Sequence, residues 1–141
     1  MKATPGPARQ SDLKEIDMET FNRLAWILLA AIHAPPAMAA FTPGMMGRLY
    51  GVAPQGEVGL MLAHRAFLFL AVAFGCLWGA IDAEARRPLS VIVTISILGF
   101  LMLYIADGAP PGPLRRIALV DAAALAPLAW VMLQAWGPRA A

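Results

Sequence analysis

Apolar residues gather in four long runs, residues 24–41, 58–81, 88–106 and 117–136, with polar residues collected in the short breaks between them. A helix needs about 20 mostly apolar residues to cross the hydrocarbon core of a bilayer, and all four runs come near that length. The pattern predicts an all-α integral membrane protein, an up-down four-helix bundle over residues 24–136. Residues 1–23 then form a cytoplasmic N-terminal arm and residues 137–141 a cytoplasmic tail. In the arm, Pro5, Gly6 and Pro7 make a flexible lead over the first ten residues. Asp12 followed by Glu15 reads as a helix start, and Leu13, Ile16, Thr20 and Leu24 recur at helical spacing. A short amphipathic helix on the inner membrane surface is the expectation, with a solvated charged lead as the plainer alternative.

The first run also has the length of a signal-peptide core, and Ala37, Met38 and Ala39 resemble a cleavage site. Asp12, Glu15, Asp17 and Glu19 upstream argue against cleavage, because the leading segment of a signal peptide is short and positive. A retained helix is therefore expected. The break over residues 42–57 carries Pro43, Gly44, Gly47, Gly51, Pro54 and Gly56, which predicts a loop rather than a long helix. Its apolar Met45, Met46, Leu49 and Tyr50 predict that it folds back over the bundle mouth or rests in the membrane interface. Residues 108–113 hold three prolines and two glycines and predict a tight break before Arg115.

Composition strengthens the membrane reading. The chain is 60% hydrophobic and 14% charged, where a soluble domain carries about 25% charged residues. A net charge of +2 gives no footprint for nucleic acid. The single Cys76 rules out an internal disulfide and reads as a small packing residue. Basic loops are retained on the cytoplasmic side. With the N-terminus inside, Lys2, Arg9, Lys14, Arg23, Arg86, Arg87 and Arg139 fall on that side, and Arg48, Arg115 and Arg116 fall outside. Both termini are thus expected in the cytoplasm of a bacterium, with the bundle in its inner membrane.

Within the runs, Ala71, Gly75 and Gly79 form a small-residue ladder suited to close helix approach. His64 shares a helix face with Leu68 and is expected to point into the bundle. Trp26, Trp78, Trp130 and Trp136 read as interfacial anchors. Pro35 and Pro36 withhold the donors that would satisfy the carbonyls of Ala31 and Ile32, predicting a kink beside His33, and Pro127 predicts another.

Ionisable residues inside a span are functional hypotheses by default, because each is costly to bury. His33, His64, Arg65 and Asp121 are of this kind. At a rise of about 1.5 Å per residue they share one layer in the outer half of the bundle, with Tyr104 and Asp107 near the same level. The plain readings are an ion pair between Arg65 and Asp121 and hydrogen-bonded core roles for the histidines. No local spacing supports a metal site, so none is assigned. A haem between His33 and His64 is the sharper variant, and the sequence weighs against it. Motifs of nucleophile elbows, P-loops, dinucleotide folds and zinc proteases do not occur.

The Leu49-Tyr50-Gly51 element, the His64-Arg65-Ala66 run and Asp121 give the chain its resemblance to the DoxX-like group of small four-helix bacterial membrane proteins. The resemblance implies an inner-membrane bundle in a group associated with quinone-linked redox complexes, and it carries over no catalytic residue. Two classes of function remain. One is a binding module or enzyme whose cluster of His33, His64, Arg65, Tyr104, Asp107 and Asp121 holds a small amphipathic or lipid-like ligand such as a quinone. The other is a non-catalytic accessory subunit of a membrane complex. The lipid bilayer is the expected partner, a membrane-protein partner or second copy stays open, and the cofactor is unassigned. A channel does not fit a single polar layer, because conduction needs a continuous path.

Overall fold

Small side chains at helical spacing mark the face of the Gly56–Ile81 helix that turns inward, and larger apolar side chains mark those of the other long helices. The computed structural model describes residues 7–53 and 55–137, and its regular elements are all helices. They are α1 (Pro7–Met38), α2 (Pro43–Tyr50), α3 (Gly56–Ile81), α4 (Arg86–Ala106) and α5 (Pro113–Trp136). Expectations for residues 1–6, 54 and 138–141 lie outside the described residues.

Each long helix buries one stripe. On α1 it runs through Asn22, Trp26, Leu29, His33 and Ala37, on α3 through Ala66, Ala73, Cys76 and Ala80, on α4 through Ser90, Val93 and Ile97, and on α5 through Ala124, Leu128 and Val131. These recurrences of three, four or seven residues match a helical face. The opposite faces carry large apolar side chains in the open, among them Leu60, Met61, Ile81, Met102, Leu103 and Leu133. Contacts run α1 to α3, α3 to α4, α4 to α5 and α5 back to α1, so the four long helices close on themselves.

Three of these helices, α3, α4 and α5, are long and apolar enough to cross a membrane. The expected fourth span is not of that kind. The run expected over 24–41 is cut short because α1 ends at Met38, so a span-length stretch of the helix takes in Asn22 and Arg23 along with His33, Pro35 and Pro36. The helix also begins at Pro7, so the first-ten-residue lead is helical from that point and the arm and first run form one unbroken element.

The expected loop over residues 42–57 holds a helix. Pro43 stands in the first turn of α2, where its missing N–H costs nothing, and Gly51 ends it in a left-handed conformation at φ 70°. The punctuation that predicted an irregular loop is start and stop signalling for a short helix. Met46 and Tyr50 turn inward onto Ala39 and Ala66, with Leu114 and Ile117 packed alongside, so α2 covers one end of the structure.

At the other end α1 is clasped to α4. Arg86 is buried and donates from Nε to the Gly79 carbonyl at 2.9 Å, and its two Nη atoms donate to Glu19 at 2.7 and 2.9 Å. Arg23 donates to the same carboxylate at 2.8 Å. The Arg86 hydrogen bonds, with help from Arg23, hold the Glu19 carboxyl down at about 2 against the opposing effect of partial burial. Nearby, Trp136 donates to Ser90 at 3.1 Å and Arg87 to the Ala135 carbonyl at 2.8 Å, joining α5 to α4.

Trp26 is not an interfacial anchor. It is wholly buried, with its indole lying on Gly79, where an added Cβ would come within 2.9 Å of the ring. The small-residue ladder therefore serves two partners. Gly79 admits Trp26 of α1, Gly75 faces Leu89 of α4, and Ala71 is exposed.

Candidate functional site

Beneath α2 the helices leave a cavity of about 180 Å³. Helix α1 contributes Ile32, His33, Pro35 and Pro36, α2 Leu49 and Tyr50, α3 Arg65 and Phe69, and α5 Arg116, Ile117, Val120 and Asp121. Most of the wall is apolar, and among its polar groups Arg65 and Tyr50 lie side by side. Pro35, Arg116 and Val120 are exposed, whereas His33 and Tyr50 are buried. The mouth thus opens between α1 and α5, and the floor lies against α1 and α2.

His33 is 2% exposed, and its Nδ1 lies 2.8 Å from the Leu29 carbonyl. A carbonyl only accepts, so Nδ1 is the donor and carries a proton, leaving Nε2 as the other polar atom of the ring. The Phe69 ring stands 5.9 Å away. Helix geometry supplies this arrangement, since Leu29 lies one turn before His33 on the same buried stripe.

Arg65 is held by rings rather than by a carboxylate. Its guanidinium carbon lies 5.7, 5.2 and 5.5 Å from the ring centroids of Tyr50, Phe69 and Phe100. All three are within the distance of about 6 Å at which a cation is attracted to a ring face. The expected ion pair with Asp121 does not form. Both residues line the cavity, but no Arg65 nitrogen approaches an Asp121 oxygen within 4.0 Å. The aromatic cage takes the place of the missing counter-ion contact.

Two polar atoms at the cavity are buried without a hydrogen bond, the Tyr50 hydroxyl and Arg65 Nε. Burial pushes the Tyr50 phenol above its ordinary range, opposed by the Arg65 charge and by the guanidinium lying near hydrogen-bonding range of the hydroxyl. The hydroxyl therefore keeps its proton at neutral pH and remains a donor.

The structure brings His33, Arg65 and Asp121 to one cavity and leaves the other expected residues elsewhere. His64 is exposed, which corrects the inward orientation expected from its spacing to Leu68. Leu68 is itself 55% exposed, so the shared face is the outer one. A single residue step, about 100° of rotation, carries the chain from outward His64 to inward Arg65. The two histidines consequently do not face a common space, which removes the geometry for a haem between them. Tyr104 donates to the Pro110 carbonyl at 3.0 Å and stacks on Phe100 at 6.1 Å, supporting one wall of the Arg65 cage from behind. Asp107 is exposed at the end of α4, away from the cavity lining.

Tyr50, Arg116 and Phe69 are lining residues that the sequence does not mark as such. Tyr50 belongs to the Leu49-Tyr50-Gly51 element, and Arg65 and Asp121 belong to the other two elements noted with it. Three separated sequence features thus meet at one cavity.

Compared with known protein families, curated proteins and solved structures, the chain gives no match.

Proposed function

We propose that this is a membrane-embedded binding protein whose cavity takes the polar head of a small amphipathic, lipid-like ligand. In this reading α1 is the fourth span of an up-down four-helix bundle, and the bundle sits in a bacterial inner membrane as a DoxX-like protein. The observation that carries the proposal is a mostly apolar cavity lined by Tyr50, Arg65, Arg116 and Asp121, with two donors just behind its wall, Tyr50 Oη and Arg65 Nε, sealed from solvent without a partner. An unsatisfied buried polar group costs about 1 to 3 kcal/mol, so a ligand oxygen that draws either donor out by a side-chain shift supplies a matching gain. Size limits the choice. An apolar cavity of about 150 Å³ holds a benzene ring, so one of about 180 Å³ admits a ring or a compact head group with its first carbons. Two acyl chains do not fit. Quinones and single-tailed lipids meet the requirement, with the tail leaving between α1 and α5.

The test is mass spectrometry of small lipids retained by protein purified in mild detergent. A near-stoichiometric species is expected in the wild type and its loss in Tyr50→Phe, with the thermal midpoint little changed. The same lipid content in both proteins would overturn the proposal and leave the polar groups as packing elements of an accessory subunit.

A further inference from the structure

The charges around the cavity point to the kind of head group it takes, an inference that rests on reading the cavity as a ligand pocket. We infer that the ligand is an acidic amphiphile, a single apolar tail ending in an anionic oxygen group, which enters sideways between α1 and α5. Two guanidinium groups, Arg65 and Arg116, line the cavity against one carboxylate, Asp121. Neither arginine comes within 4.0 Å of a carboxylate among the described residues. The lining therefore carries at least one positive charge in excess. The rings attract the Arg65 cation without neutralising it, and a neutral head group leaves the excess charge in place.

An anionic oxygen meets the charge and the hydrogen-bonding deficit together. It pairs with the Arg65 guanidinium at the cavity wall, and a side-chain shift on binding lets Tyr50 Oη or Arg65 Nε, both sealed off and unpartnered, donate to it. Helix α2 closes the end of the structure with Tyr50 on the floor, so a ligand does not enter along the axis. The exposed lining residues Pro35 and Val120 give the mouth an apolar rim over which a tail passes, and Arg116 adds a second cation there.

Binding to full-length protein in uncharged maltoside micelles tests this by calorimetry, with oleate, oleyl alcohol, lysophosphatidate and a decyl-substituted quinone as probes. At about pH 8, where a carboxylic acid is ionised, oleate should bind one-to-one and at least about tenfold more tightly than the alcohol of the same tail. Tighter binding of lysophosphatidate than of oleate would identify a phosphate head, and the reverse a carboxylate. Either supports the acidic class. Arg65→Gln should erase the preference for oleate over the alcohol, and Arg116→Gln, at the exposed mouth where folding is not at stake, should reduce it. Equal binding of oleate and alcohol, or a quinone that outcompetes oleate, would overturn the acidic head while leaving a ligand pocket in place. Failure of all four probes to bind would overturn the inference and the pocket reading together.

Discussion

Gly79 shows how narrow the tolerance is where two helices meet. An added Cβ there would lie 2.9 Å from two atoms of the Trp26 indole, a rigid ring with no exposed side to retreat toward. At Gly75 the obstructing atom is Leu89 Cδ2, the far end of a flexible side chain, and at Gly99 nothing lies within 4 Å. Gly79→Ala should therefore cost about 1 to 3 kcal/mol of stability, as overpacking does, with Gly75→Ala costing less. Gly99→Ala should be neutral or stabilising by up to about 1 kcal/mol, because alanine is the better helix former. Thermal midpoints in one detergent would rank the three, and a Gly79 variant as stable as the Gly99 variant would contradict this account of the Trp26 contact. The candidate site was legible at this scale only in part. His33, Arg65 and Asp121 stand out in sequence because ionisable groups are conspicuous inside apolar runs. Tyr50 and Arg116 look like ordinary flanking residues until the fold seats them at the cavity. His64 went to the wrong face because α3 offers small residues on neighbouring faces, and spacing alone does not say which one meets a partner.

The elements themselves were more legible where apolar runs are long and unbroken. Expected spans over residues 58–81, 88–106 and 117–136 correspond to α3 (Gly56–Ile81), α4 (Arg86–Ala106) and α5 (Pro113–Trp136). Helix α2 was missed because proline and glycine mark loops and helix ends alike, and the difference lies in where they stand relative to the helix. The union of α1 with α4 was missed because Glu19 and Arg86 are 67 positions apart. That union carries a pH dependence. Glu19 has a folded pKa of about 2, below its ordinary value of 4.5, so its contribution is complete above about pH 4.5 and is lost as pH falls toward 2. The contribution is modest, because the side chain is 41% exposed and solvent screens the pair. Glu19→Gln should lower the thermal midpoint at neutral pH, and the gap from wild type should close between about pH 4.5 and pH 2. A gap that stays constant across that range would show that the carboxylate charge is not what Arg86 recognises.

For the whole molecule, the apolar exterior is the main physical fact. Alanine, glycine and cysteine share the interior with Trp26, Leu29, Val93, Ile97, Leu128 and Val131, while Leu60, Met61, Met102, Leu103 and Leu133 cover the exterior, as suits a surrounding solvent that is itself apolar. Whether α1 shares that solvent along its length is decided by topology. If it spans, reporter fusions at the N-terminus and at Ala53 should read opposite sides, and fusions at Ala53 and after Trp136 should also differ. With the excess of Lys and Arg retained inside, the N-terminal and C-terminal fusions should both read cytoplasm. The same side for the N-terminus and Ala53 would make α1 a helix that lies along the assembly without crossing. The position of the cavity mouth has its own consequence. In the proposed reading, with α1 as a span and a lipid-like ligand in the cavity, an opening between α1 and α5 meets the acyl-chain region, so the quantity that governs occupancy is the mole fraction of ligand in one leaflet. Diluting the surrounding water leaves that fraction almost untouched, whereas a change in leaflet composition alters it directly.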